Sequence, residues 1–230
     1  WDIMKRIAFI LFLLLAFTGA SAQEFVKIMS YNIRNAKGMD NVRDYSRVAK
    51  VINLEQPDVV AVQELDSMTN RSGQKYVLGE LAKLTGMHAE YFPAIKFDGG
   101  KYGVGILSKE KPIAVQGYPL PGREEERALL VAEFQDYMFA CTHLSLTEED
   151  RMASLEIIGK KAAASEKPFY LAGDLNDTPG SRFMEGLQKN FRILNDVKAQ
   201  TFPAPLPDRT LDYIAVWKGT APKLDVVSKV

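Results

Sequence analysis

The run "DVVAVQELD", residues 58–66, has four apolar side chains in a row at Val59–Val62 and no polar alternation. A strand with one wet face alternates; a strand without alternation is buried on both faces, so this run is read as the centre of a covered sheet. Its surroundings supply the cover. Residues 43–54 place Val48, Val51 and Ile52 on one helical face before Pro57 stops the helix. Residues 25–30 read as a strand leading to "YNIRN", and residues 73–85 as a second helix. Residues 88–95, 103–107, 112–118, 128–134 and 137–144 read as successive strands. Short, turn-rich links such as "FDGGKYG" make several of these antiparallel neighbours. After "THLSL" the period changes. Met152, Leu155, Ile158 and Ala162 form a core-facing stripe, acids fill the first turn, and Thr147 with Asp150 makes a capping pair. A strand at 167–172, a short helix near 181–189 and a strand at 211–217 complete the pattern. It is α/β, with sheets covered by helices and not a purely parallel doubly wound sheet.

No repeat or low-complexity linker divides the chain, and 230 residues with 47% hydrophobic and 25% charged suit one globular domain, residues 23–230. Residues 1–22 are different: "MKR", the apolar run "IAFILFLLLAF" and "ASA" before Gln23 read as a secretory signal peptide. The run is short for a membrane span, and no Cys marks a lipoprotein site, so the expectation is a secreted or periplasmic chain with no transmembrane anchor, monomeric, beginning at Gln23. Removing Lys5, Arg6 and Asp2 from 29 basic and 29 acidic residues leaves 27 and 28, a near-neutral balance without the broad basic field of non-specific nucleic-acid binding. Cys141 is the single cysteine and lies in an apolar run, which excludes an intramolecular disulfide and reads as a small core residue.

Strand ends carry the chemistry. Asn32, Glu64, His143, Asp174 with Asn176, and Asp212 fall at or near the ends of five separate strands. Any one could cap a turn or helix, and the Asp and Asn of "AGDLNDTPGS" suit that role. Five together, each beside a hydrophobic sheet where a lone charge is costly, point instead to one shared site. Carboxylate and amide oxygens with few sulfur or imidazole donors suit a hard cation, Mg²⁺ or Mn²⁺, better than Zn²⁺.

In order, "MSYNIR", "PDVVAVQELD", "YGVGILSK", "ERALLVAEF", "THL", "AGDLNDTPGS" and "TLDYIAV" resemble the endonuclease/exonuclease/phosphatase superfamily, from about residue 25 to 217. The resemblance implies a four-layer sandwich of two packed mixed β-sheets flanked by helices, and metal-dependent hydrolysis of a phosphoester. The substrate would be a small phosphodiester, phospholipid head group, sugar phosphate or nucleic acid. It also implies roles. Glu64 would be the principal metal ligand, with Asn32 holding the metal or a phosphate oxygen. His143 would donate to the phosphate, Asp174 would orient the attacking water, and Asn176 would bind the phosphate or the metal shell. Arg127 and Tyr102 would contact the substrate.

The family's closing "SDH", whose His pairs with an upstream Asp, here Asp212, has no counterpart: the histidines are His88 and His143 only. His88 falls where the family has a structural strand. The expectation is a chain cut short at its C-terminus and lacking a final strand. The alternative is a phosphate- or head-group-binding module without turnover.

Overall fold

The computed structural model describes residues 25–222; the leader-like segment, the start at Gln23 and the extreme C-terminus lie outside them. The strands are β1 (Ile28–Asn32), β2 (Val59–Ser67), β3 (His88–Phe97), β4 (Gly100–Ser108), β5 (Ala114–Leu120), β6 (Arg127–Glu133), β7 (Met138–His143), β8 (Phe169–Asp174), β9 (Phe191–Ile193) and β10 (Asp212–Trp217). The helices are α1 (Tyr45–Glu55), α2 (Val77–Thr85), α3 (Glu148–Ala163) and α4 (Arg182–Asn190).

Two mixed sheets result, one ordered β1-β2-β4-β3 and the other β5-β6-β7-β8-β10-β9. β2 pairs parallel to β1 and antiparallel to β4, and Val59–Val62 are fully buried, as the unbroken apolar run requires. Three apolar layers separate the four structural ones. Val48, Ile52, Leu78 and Leu81 pack α1 and α2 onto one face of the four-stranded sheet. Ile158, Ala162, Phe183 and Leu187 pack α3 and α4 onto the six-stranded sheet. Between the sheets lie Val59, Val104 and Ile106 from one and Leu130, Phe139, Cys141, Ala172 and Val216 from the other. This is a four-layer α/β sandwich.

Local signals explain most boundaries. α1 starts where the Asp44 carboxylate accepts from Ser46 N and Arg47 N, and ends at Gln56 in the left-handed region, one residue before Pro57. The helix expected over 73–85 begins only at Val77, because Gln74 N donates to Thr69 O and Ser72 Oγ to the same carbonyl, closing a turn upstream. The Thr147–Asp150 capping pair does not form. Asp150 instead accepts from Arg123 N, and Thr147 Oγ1 donates to Glu124. β9 is three residues long, too short for periodicity to reveal. His88 is exposed at the start of β3, and Cys141 is wholly buried with its thiol pushed up to about 12 by burial.

Candidate active site

Register alone gathers one half of the site. His143, ending β7, pairs with Asp174, ending the parallel β8, and Asp174 pairs with Asp212, opening the antiparallel β10. Ala128 opposes His143, so Arg127 sits at the same end of β6. Cys141 and Ala172, two residues upstream of His143 and Asp174, face the layer between the sheets. With a side-chain period of two, His143 and Asp174 point the same way, toward the other sheet. Gly173 makes this possible: its φ is +156°, and a Cβ there would lie 2.0 Å from Thr142 O.

The four-stranded sheet supplies the other half through a bulge. The β2–β4 register shifts between Val62 and Leu65, and Glu64, inside the shift, has φ +60°. A bulge re-aims the side chain it carries, and a left-handed non-glycine residue costs about 1–3 kcal/mol, so the strand is strained where Glu64 leaves the ladder. Asn32 is the hinge between the halves. Its Nδ2 donates to Glu64 Oε1 at 3.0 Å and to Asp174 Oδ2 at 3.1 Å, while its Oδ1 accepts from Arg34 N at 3.1 Å. Asn32 was expected to hold the metal or a phosphate oxygen; in this structure its amide N–H groups meet two carboxylates, the arrangement of a residue that sets them in place.

Asn176 donates through Nδ2 to Leu144 O at 2.8 Å, and its backbone N–H donates to Asp174 Oδ1 at 2.9 Å. It ties the loop after β8 to the loop after β7, and by inventory its second N–H and its amide oxygen remain for a ligand. Asp177 pairs with Arg151 at 2.8 Å, and the cap of α4 is Ser181, whose Oγ accepts from Met184 N. Arg127 is only 7% exposed; Nη1 donates to Glu125 at 3.1 Å and Nη2 to Glu124 at 3.3 Å. Its Nε is buried and finds no acceptor among the described residues. Tyr102 stands in β4, its ring 5.9 Å from Phe97, with burial and the Glu64 and Glu125 carboxylates pushing its phenol up. Sequence reasoning did not find Glu124, Glu125 or the bulge at Glu64. "REEER" reads as surface charge, and a bulge leaves no mark in hydrophobic pattern.

Electrostatically the site is short of positive charge. Burial, then the Asp174 carboxylate, pushes Asp212 up to about 7, and Asp212 Oδ1 is buried without a partner among the described residues. Burial pushes Asp174 up as well, against the Asn176 N–H and the Asn32 amide, which favour its charged form. Burial, then Arg127, pushes His143 well below the usual histidine range. Its Nε2 lies 3.7 Å from Asp174 Oδ2. That is beyond hydrogen-bond reach, and a neutral imidazole makes it no ion pair. The Glu64 and Asp174 carboxylates, with Asp212 and its unpartnered Oδ1 beside them, suit a divalent cation. Among the described residues no three acidic, thiol or imidazole groups cage one by themselves. Mg²⁺ fits such a site, because it keeps several waters and takes one or two carboxylates plus substrate phosphates.

Two packed sheets flanked by helices, with carboxylates, amides and one imidazole meeting at strand ends, define a class of α/β sandwich built around an acidic site. The chain belongs to the Endonuclease/Exonuclease/phosphatase family, whose sequence model matches residues 29–228. Among solved structures, an endonuclease/exonuclease/phosphatase from Beutenbergia cavernae is 22% identical, with a TM-score of 0.66 over 84% of this chain; the chain spans 64% of that protein's length. The Bacteroides thetaiotaomicron mannosyl-6-phosphatase is 16% identical, with a TM-score of 0.64 over 84% of this chain and 86% of its own. D. rerio TDP2, solved with a single-strand DNA product, is 21% identical, with a TM-score of 0.61 over 86% of each chain.

Proposed function

We propose that this protein is a divalent-metal-dependent phosphoesterase acting outside the cytoplasm. The observation that carries the reading is the meeting of Glu64 and Asp174 on one Asn32 amide, with His143 and Asp212 in register beside Asp174. Family membership supports it, and so do a sugar-phosphate phosphatase and a protein crystallised with a DNA product among the structural neighbours.

Glu64 would hold a Mg²⁺ or Mn²⁺ ion, which when bound supplies positive charge to the phosphoryl oxygens. Asn32 keeps the Glu64 and Asp174 carboxylates apart at fixed distance and donates to both. Asp174, whose charged form the Asn32 and Asn176 N–H groups favour against its burial, can orient a water and accept a proton from it. His143, neutral, can donate one N–H to a phosphoryl oxygen as charge builds there. Arg127 lies within electrostatic reach of His143, and Tyr102 of Glu64. The substrate is a phosphoester, drawn from small phosphodiesters, phospholipid head groups, sugar phosphates and nucleic acid. The export reading rests on the leader-like residues 1–22, and a mature N-terminus at Gln23 in the exported protein would support it.

Glu64→Gln is expected to weaken Mg²⁺ binding in calorimetry and to lower hydrolysis of bis(p-nitrophenyl) phosphate about 10²-fold or more. Unchanged binding and turnover would reject the assignment. Metal-linked binding of phosphate without any product from wild type would favour the binding module.

A further inference from the structure

Several guanidinium groups near the candidate site are already paired with carboxylates. Arg71 is paired with Asp66, Arg123 with Asp150, and Arg151 with Asp177. Arg127, nearest the strand-end cluster, is paired twice, and its two carboxylate partners are bound differently. Glu124 is tied down. It accepts from Leu146 N at 2.7 Å and from Ser145 Oγ at 2.9 Å, so it joins Arg127 to the loop that follows His143. Glu125 has no such tie. Among the described residues its side chain has one hydrogen bond, from Arg127 Nη1 at 3.1 Å. It also lies within electrostatic reach of Glu64 and of Tyr102. Glu125 therefore holds a carboxylate against the Arg127 guanidinium on the side of the site where it also interacts with Glu64.

We propose that Glu125 is a specificity-determining residue that biases the site toward monoanionic phosphodiesters and against dianionic phosphomonoesters. The inference rests on the phosphoester reading of the same site. Both ester classes meet the same cation and the same Arg127, but they differ by one negative charge once the monoester has lost its second proton, above about pH 6. The Glu125 carboxylate, paired with Arg127 and interacting with Glu64, penalises the second charge of a ligand there and leaves the first tolerable. Glu124 holds Arg127 in place, and Glu125 decides how much of its charge a ligand receives.

The test is calorimetric binding of phenyl phosphate and methyl phenyl phosphate at about pH 8 in Mg²⁺, run in the cold and checked for product so that the heat reports binding alone. Glu125→Gln keeps an oxygen for Arg127 Nη1 and removes the charge. It is expected to tighten the monoester relative to the diester by about tenfold, the effect of one nearby charge in a partly hydrated site. Glu126→Gln removes the same charge from an exposed neighbour and is expected to move that ratio less than about twofold. An unchanged ratio in Glu125→Gln at an unchanged Tm, or an equal change in Glu126→Gln, overturns the role of Glu125 while leaving the phosphoester reading in place. Failure of wild type and variant to bind either ester overturns both.

Discussion

Two residues show how single side chains are bent to the site. Glu64 adopts a left-handed conformation that a strand would not otherwise hold, and the bulge at that point turns its carboxylate onto Asn32. Asp212 carries the clearest pH signature. Its carboxyl is raised from 3.8 to about 7, first by burial and then by Asp174. The folded state thus keeps a proton that the unfolded state releases near 3.8. This contribution to stability is fully present below that pH and is lost as pH rises through about 7. The metal-free wild type is therefore expected to lose Tm between about pH 4 and pH 7. Asp212→Asn, which has nothing to titrate, is expected to show a flatter profile. Parallel profiles measured in EDTA would contradict the burial of a protonated Asp212.

At the scale of elements, the site depends on how loops are anchored to helix ends. The first turn of α3 collects them: Arg151 Nη1 donates to Ser145 O after β7, Arg151 pairs with Asp177 after β8, and Asp150 accepts from Arg123 N before β6. That explains why Thr147 and Asp150 do not cap each other, since both are taken by tertiary partners. α4, by contrast, is capped locally by Ser181, and the helix buries Phe183, Met184 and Leu187. Ser181→Ala is expected to lower stability by about 1 kcal/mol, the usual cost of a lost side-chain cap, as read from the urea midpoint. A loss indistinguishable from zero would mean that burial alone sets the start of α4.

At the scale of the molecule, the site is shared between two sheets. Asn32, Glu64 and Tyr102 come from one, and Arg127, His143, Asp174 and Asp212 from the other. Their relative position is therefore set by the apolar layer between the sheets. Ile106→Ala, in that layer, is expected to cost about 2–5 kcal/mol and also to weaken Mg²⁺ affinity well below the Tm, because it loosens the spacing of the two halves. Leu81→Ala, in the layer beneath α1 and α2, is expected to cost a similar amount without touching that spacing. Mg²⁺ titration of both variants separates the two cases. Equal affinities would place the site's rigidity within each sheet.

Much of this was legible from local pattern. The unbroken run Val59–Val62 required a central strand, Pro57 ended α1, and the period of Met152–Ala162 placed the side of α3 that packs on the six-stranded sheet, with Ile158 and Ala162 buried and Met152 and Leu155 half-buried, because these are consequences of spacing along the chain. The strand-end positions of Asn32, His143, Asp174 and Asp212 were readable for the same reason. The bulge at Glu64, the donor role of the Asn32 amide, the exchange of caps around Asp150 and the carboxylates on Arg127 were not. Glu124 and Glu125 are near neighbours of Arg127, and it is the fold of the β5–β6 turn that sets them on it; the other three are settled by partners far away in sequence, and only the packing of one sheet on the other brings Asp174 within 3.1 Å of Asn32, across 142 residues.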